Sequence, residues 1–364
     1  MAEELRRIAV LRANGIGDLV FALPALCALK EAHPRSRLTL LGLPWHEDFL
    51  RGRPGPVDRV VVVPRYRGVR SDGPPEPGAQ RRFFAQMRHE RFDVAVQMHG
   101  GGRHSNPFVS SLGAGLTAGL RGADAPALDR WVPYRLYQPE HVRYLEVAAL
   151  LGADETLREP EVEVTDDDRL ETQAVLARRL DAGAAARPLV AMNPGAGDAR
   201  RRWPVKRFAE VGDGLARAGA TVVLTGAAPD ALLTVGVREA MREKPVDLAG
   251  RLSLGGVCAL YARCAVVVSN DSGPLHLAAA VGAPTVGIFW AGNVITAALP
   301  TRSRHRYAIS WRLACPTCGA DCMRSDCAHE DSFVADVSAS EVLGEALDLL
   351  EATEREGVAL RESL

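Results

Sequence analysis

Apolar residues in this chain come in short runs, separated by glycine-containing loops and by longer stretches with helical spacing. The apolar run Ile8-Ala9-Val10-Leu11, followed by Arg12 and the loop Ala13-Asn14-Gly15-Ile16-Gly17-Asp18, predicts a buried strand over 8–12 and a tight loop. Leu19, Phe21, Leu23, Leu26 and Leu29 then share one broad face of a helix that runs out before Pro34. Residues 38–41, 60–63 and 92–97 predict three further strands, the last entering His99-Gly100-Gly101-Gly102. Apolar strand, polar loop and amphipathic helix in alternation is the rhythm of a parallel sheet with helical crossovers.

The rhythm restarts in the second half. Residues 170–180 read as helix and 182–187 as a small-residue linker. Residues 189–192 then predict a strand before Asn193-Pro194-Gly195-Ala196-Gly197, followed by a helix over 205–218 and strands over 221–224, 265–269 and 285–289. Each half thus begins strand, glycine loop, helix, strand. The expected architecture is α/β, two similar open sheets facing each other across a cleft, with ligands beyond the carboxyl ends of the strands. Ser338 and Glu341 form a capping-box pattern before a helix to about residue 352, and the last dozen residues are charged and expected to be loose.

Composition narrows the class of function. The chain has 364 residues, enough for two ordinary domains, and 47% hydrophobic with 24% charged residues is a globular balance. With 44 basic and 45 acidic residues, no basic excess is available for general nucleic-acid binding, so no nucleic-acid partner is expected. No stretch reaches the roughly 20 apolar residues of a membrane span, and the N-terminal run is too short for a signal peptide. A cytoplasmic protein without a transmembrane segment is expected, with peripheral membrane contact left open.

The densest chemistry is Asn270-Asp271-Ser272-Gly273-Pro274-Leu275-His276, directly after the apolar strand 265–269. Pro274 suits the first turn of a helix, whose N-terminus offers free N–H groups and a partial positive charge of about half a unit. His276 lies one turn in. A strand end, a helix start and a histidine together suit a pyrophosphate; an N-cap with a core histidine is the plain alternative.

That segment, with Ala278-Ala279-Ala280 and Pro284-Thr285-Val286 before Phe289, resembles the signature of glycosyltransferase family 9, the heptosyltransferase family of lipopolysaccharide core assembly. Gly17-Asp18-Leu19 with Leu23-Pro24-Ala25-Leu26 is similar to its first-domain motif. Asn193-Pro194-Gly195-Ala196 with Arg201-Arg202-Trp203-Pro204 is similar to its donor-domain opening, and Leu248-Ala249-Gly250 with Ser253-Leu254 to the loop before the signature. The resemblance spans roughly residues 7 to 335. It implies a GT-B fold of two Rossmann-like domains: an acceptor-binding domain over 1–180, a nucleotide-sugar domain over 188–335, and a helix and tail over 338–364.

The implied activity is inverting transfer of a sugar, heptose in this family, from an ADP-sugar to a saccharide, lipid-linked or small-molecule acceptor. No cofactor and no metal is implied for the transfer. Asp18 corresponds to the family's catalytic base; as a residue type it serves equally as a helix cap. Asn193, Gly195, Arg201, Arg202, Thr225, Gly226, Asp271, Ser272, Gly273 and His276 are the implied donor-binding residues, with either arginine able to meet the diphosphate. Asn14, Gly17, His99, Gly100 and Asn106 are acceptor-binding candidates, and His141 and Arg143 are weaker ones. After Phe289 the chain departs from the family, reading Trp290-Ala291-Gly292-Asn293-Val294 where a loop bordering the donor sugar is expected.

Cys315, Cys318, Cys322 and Cys327, with His329 nearby, supply soft ligands in an irregular spacing. Structural zinc is not favoured over reduced thiols, a disulfide is the third alternative, and none of the three is catalytic. Two other functions fit the halves: a catalytically silent nucleotide-sugar-binding protein and a nicotinamide-dependent oxidoreductase. Against the latter, Asn14-Gly15-Ile16-Gly17-Asp18 is not the dinucleotide fingerprint, and strand 38–41 ends in Gly42 with no acid for a ribose.

Overall fold

A computed structural model describes residues 5–299, 303–325 and 327–362 of the chain. They divide into two compact units, Met1–Glu163 and Val164–Leu364. In the first, six strands form one sheet: β1 (Arg7–Leu11), β2 (Arg37–Gly42), β3 (Arg59–Val62), β4 (Val94–Gln97), β5 (Leu116–Arg121) and β6 (Arg130–Pro133). Every pairing is parallel, in the order β3-β2-β1-β4-β5-β6.

The second unit repeats this plan with β7 (Leu189–Asn193), β8 (Thr221–Leu224), β9 (Val246–Asp247), β10 (Cys264–Asn270), β11 (Thr285–Trp290) and β12 (His305–Ser310). Its order, β12-β11-β10-β7-β8-β9, is again all parallel. Relabelled from its own first strand, each sheet runs 3-2-1-4-5-6, the doubly wound dinucleotide-fold order. The expectation of α/β with two Rossmann-like sheets is therefore met.

Burial explains why the central strands are apolar runs rather than alternating ones. Residues of β10 are buried throughout its length, as a parallel strand covered by helices on both faces requires. One face of the second sheet packs Val266, Val268, Val286 and Ile288 against Phe208, Val211 and Leu215 of the helix Val205–Arg217. The other packs Val223 and Val267 against Leu260, Tyr261 and Leu176. The C-terminal helix Ala339–Glu362 closes the first of these faces, to which it contributes Val342, Ala346 and Leu349.

Several boundaries differ from those read in the sequence. The helix Asp166–Ala177 belongs to the second unit, so the division falls at 163/164 instead of near 180. Glu171 accepts from Ser253 N (2.7 Å), and Thr172 Oγ1 donates to Gly256 O (2.7 Å). The expected linker 182–187 contains a helical turn, Ala182–Ala185, capped by Asp181. Strands β5, β6, β9 and β12 are not among those the sequence pattern predicts. In β5 the cause is visible: Gly119 breaks its apolar run, and a Cβ there would lie 2.6 Å from Gln97. Ser338 Oγ accepts from Glu341 N (3.1 Å) as the capping pattern predicts. The helix it starts does not stop near residue 352 ahead of a loose last dozen residues, but continues to Glu362; only residues 363–364 of that expected tail lie outside the described residues.

Candidate active site

In each sheet the chain order reverses between the first strand and the fourth, and ligands of open α/β sheets gather beyond the strand ends at that point. In the first unit this point is the end of β1 beside the end of β4. Arg12, the residue after β1, is 1% exposed and is held on all sides. Its Nε donates to Asp18 O (3.0 Å), one terminal nitrogen to Met98 O (2.8 Å) and the other to Asp18 Oδ1 (2.5 Å). Its guanidinium stacks 4.7 Å from the Tyr144 ring centroid, and Glu140 lies 3.8 Å away. Burial opposes the Arg12 charge, but Tyr144, Asp18 and Glu140 outweigh it and raise its pKa.

Asp18 is the third residue of the helix Ile16–Ala32, one turn inside Gly15. Its Oδ2 accepts from Gly15 N (3.0 Å) while Oδ1 faces Arg12, and its side chain stays 38% exposed. Both alternatives read in the sequence are therefore present in geometry: a helix-start acceptor and an oriented carboxylate open to solvent. Asn14 and Gly17 flank it, half-buried. Behind the site, Glu140 accepts from the Tyr144 hydroxyl and from Arg143, whose other terminal nitrogen donates to Arg135 O (2.6 Å) and Gln138 O (3.1 Å). Glu140, Tyr144 and Arg12 were not singled out in the sequence, because nothing local links residue 12 to residue 140.

The loop after β4 is shaped from within. Gln97 Nε2 donates to His99 O (2.8 Å), Gly100 O (3.0 Å) and Ser105 Oγ (2.6 Å), while its Oε1 accepts from Leu120 N (3.0 Å). Gly100 sits at φ +64° and Gly102 at φ +93°, where a side chain is strained. His99 Nδ1 accepts from Ala13 N (3.3 Å) and its Nε2 donates to Gly68 O (3.1 Å). Burial, reinforced by Arg12, pushes His99 down to about 4, so the ring is neutral at pH 7 and both nitrogens serve the scaffold. Asn106 is likewise buried, donating to Leu120 O (3.2 Å) and Pro126 O (2.9 Å). These two acceptor candidates hold the loop in shape; neither points a donor outward.

In the second unit the reversal point is the end of β7 beside the end of β10. Two buried asparagines build it. Asn193 donates to Thr225 O (3.3 Å) and accepts from Gly195 N (3.1 Å). Asn270 donates to Pro194 O (2.8 Å) and accepts from Trp203 N (3.0 Å). Thr225 Oγ1 lies 2.9 Å from the Tyr261 hydroxyl, so Asn193, Thr225 and Tyr261 form one buried chain. Gly195 and Gly226 are small for a reason: a Cβ at either would press on Asp230, 2.6 Å from its carboxyl and 2.9 Å from its Cβ respectively.

Asp271 is the centre of the second site. It is 2% exposed, and its carboxylate collects three donors. His276 Nε2 meets Oδ1 at 3.2 Å; Asn293 Nδ2 and an Arg201 nitrogen meet Oδ2 at 2.6 and 3.4 Å. Burial pushes the carboxyl up, but His276, Arg201 and Asn293 more than offset it and hold it below its ordinary value. Arg201 also donates to Asp271 O (3.1 Å), whereas Arg202 turns to Ala196 O (2.9 Å). The arginine that reaches this carboxylate is thus Arg201.

The helix Gly273–Ala280 starts immediately after, with no side chain capping it. Ser272 Oγ turns instead to Asn270 O (3.2 Å). First-turn N–H groups without a side-chain cap, beside an arginine, suit an anion. Asn293 was missed because residues 290–294 read as loop; they enter the helix Ala291–Ala297, which aims Asn293 at Asp271.

In the Cys-rich segment Cys315 Sγ is faced by the backbone N–H groups of Cys318 and Thr317, which pull the thiol down to about 7. Among the described residues no disulfide joins any of the cysteines. No helix among the described residues is long and apolar enough to cross a membrane.

A profile of glycosyltransferase family 9 (heptosyltransferase) matches residues 80–319. Haemophilus influenzae lipooligosaccharide heptosyltransferase 2 is 26% identical over 296 residues, covering 78% of this chain and 82% of that protein. In structure, a glycosyl transferase family 9 protein from Veillonella parvula superimposes with TM-score 0.81 at 21% identity, over 97% of this chain and 99% of that one. E. coli ADP-heptose lps heptosyltransferase II does so with TM-score 0.75 at 22% identity, over 96% and 99%. Both likenesses support the GT-B-like fold. Because the family profile covers more than half of the chain and runs through the Asp271–His276 cluster, the protein belongs to glycosyltransferase family 9, the heptosyltransferases.

Proposed function

We propose that this enzyme transfers heptose from ADP-heptose to a saccharide hydroxyl in one inverting displacement, with no metal ion in the transfer step. The observation that carries the reading is the Asp271 cluster. A buried carboxylate there orients His276, Arg201 and Asn293 around an uncapped helix start. Such a place favours the charge that develops when a nucleoside diphosphate departs. Arg201 then meets the diphosphate, and Asp271 serves by positioning. Ser272, Gly273 and Gly195 supply backbone approach, while the Asn193–Thr225 chain with Gly226 floors the nucleoside side.

In the first unit Asp18 acts as general base. The acceptor oxygen bonds to the anomeric carbon as its proton passes to the carboxylate, and the bond from that carbon to the diphosphate breaks, releasing ADP. The relatives' names, with heptosyltransferase and lipooligosaccharide in them, support a heptose donor and a lipopolysaccharide-type acceptor.

A thermal-shift screen tests the donor half. ADP at a hundred times its Kd adds about 2.7 kcal/mol to a fold that alone binds it, so ADP and ADP-heptose raise the melting temperature and UDP and GDP do not. Indifference to all nucleotides, or preference for UDP, defeats the proposal. Transfer must also persist without added divalent ions.

A further inference from the structure

Between Ser310 and Ala339 no described residue lies in a helix or a named strand. A stretch of that length without regular structure is uncommon inside a compact unit unless something ties it. Yet this one is built in detail. Cys315 N donates to Ala320 O (2.9 Å) and Gly319 N to Cys315 O (2.9 Å), closing a turn with Gly319 at φ +73°. The bridge Ala314–Asp321 seals its base. Thr317 Oγ1 donates to Asp331 Oδ2 (2.6 Å), joining the turn to the far end of the segment.

Within this segment one ligand atom each from Cys315, Cys318, Cys327 and His329 lies within 4.8 Å of all the others. Four ligands at about 2.3 Å or less from a tetrahedral zinc would stand roughly 3.5–4 Å apart, so small side-chain adjustments close the shell. Backbone N–H groups of Thr317 and Cys318 face the Cys315 sulfur, the arrangement that supports a thiolate ligand. His329 Nδ1 is buried and has no hydrogen-bond partner among the described residues. Cys322 is the odd one out, its thiol turned to Ala320 O (3.4 Å).

We propose that Cys315, Cys318, Cys327 and His329 bind a structural zinc ion that staples this segment and thereby positions the Asp271 cluster. The flanks of the segment make the connection. On one side Arg312 O accepts from Trp290 Nε1 (2.5 Å), at the start of the helix that carries Asn293. On the other, Phe333 N donates to Arg200 O (2.8 Å) and Ser332 Oγ to Arg202 O (2.7 Å), bracketing Arg201. Phe333 packs on Trp290 (5.3 Å between centroids) and under Arg200 (5.6 Å). A closed shell of four protein ligands leaves no position for substrate, so the ion is structural and the transfer step stays metal-independent.

Metal analysis of the full chain, purified without chelator, tests this directly. One equivalent of zinc is expected, and cobalt exchange should give the intense visible bands of a tetrahedral sulfur-rich site. Cys318→Ser and His329→Ala should lose the metal, and Cys322→Ser should keep it. Should the variants fail to fold, stripping zinc from the wild-type chain must lower its melting temperature, with recovery on adding zinc back. Negligible metal in folded protein, iron in place of zinc, a disulfide among the four residues, or equal loss in Cys322→Ser each overturns the proposal. The positioning role rests on the donor reading above and is read separately. Stripped enzyme should show KM for the nucleotide sugar raised roughly tenfold or more with kcat less affected, whereas metal content does not depend on which donor is used.

Discussion

Asp18→Asn and Asp18→Ala separate chemistry from scaffolding at the first site. The carboxylate accepts through both oxygens, from Arg12 at Oδ1 and from Gly15 N at Oδ2. An asparagine offers one acceptor and one donor, so it satisfies only one of these partners; alanine satisfies neither. The lost charge-assisted bond to Arg12 is worth about 1.5–3 kcal/mol when dry. With Asp18 38% exposed, solvent screening trims that to about 1–2 kcal/mol. Arg12 is not orphaned, because Met98 O, Asp18 O and the Tyr144 ring remain. The helix-start contact adds about 0.5–1 kcal/mol. Asp18→Ala should therefore lose about 1.5–3 kcal/mol and Asp18→Asn less. Neither loss unfolds an ordinary domain.

Removing a general base costs about a hundred- to ten-thousand-fold in rate. The matching assay measures kcat by ADP release, ADP affinity by calorimetry, and stability by urea denaturation on the same preparations. Both variants should lose kcat by at least roughly a hundredfold, with ADP affinity within about twofold of wild type, since the proposed ADP contacts belong to the second unit. Asp18→Asn retaining more than about a tenth of wild-type kcat would show that Asp18 is only a helix-start acceptor. A parallel fall in ADP affinity would show that the substitution acts through structure, and the base assignment would fail with it.

Two further perturbations probe the scaffold. His46 and His99, both in the first unit, are each pushed by burial from 6.5 down to about 4. Their folded values lie below the unfolded one, so the stability they contribute is complete above about pH 6.5 and drains as pH falls toward 4. Each accounts for up to roughly 3 kcal/mol over that window; urea midpoints followed by Trp45 fluorescence, beside His46, should fall between about pH 7 and 5, and His99→Gln should flatten the slope. An unchanged slope in that variant contradicts the neutral-ring geometry. Gly195→Ala places a methyl group 2.6 Å from the Asp230 carboxyl, which Ala227 N already holds at 3.0 Å. It should cost about 1–3 kcal/mol by overpacking and weaken ADP binding, and a variant with wild-type melting temperature and affinity refutes the close fit.

Much of the proposed donor site was legible in the sequence because it is contiguous. Asp271, Ser272, Gly273 and His276 occupy one strand-to-helix junction, and a strand end, a proline and a histidine within seven residues can be read locally. Arg201 was visible as one of a pair, but the choice between it and Arg202 waited on which side chain reaches across to Asp271. His99 and Asn106 looked like outward donors in a glycine-rich loop. In the fold the His99 ring nitrogens and the Asn106 amide nitrogen are spent on Ala13, Gly68, Leu120 and Pro126, because polar groups drawn away from water must find partners within the chain.

The amino-acid sequence by itself determined the layered α/β plan, its duplication, and the strand-to-helix junctions where the chemistry is proposed. Apolar runs, glycine loops and helix starts act over a few residues, and their period survives in one dimension. Only the tertiary structure decided partnership. It joined Arg12 to Glu140 and Tyr144, drew Asn293 out of an apparent loop to Asp271, and chose His329 over Cys322 for the fourth place in the cluster. Those pairings depend on strand order and on which buried charge needs which neighbour, and both are settled only when the chain closes on itself.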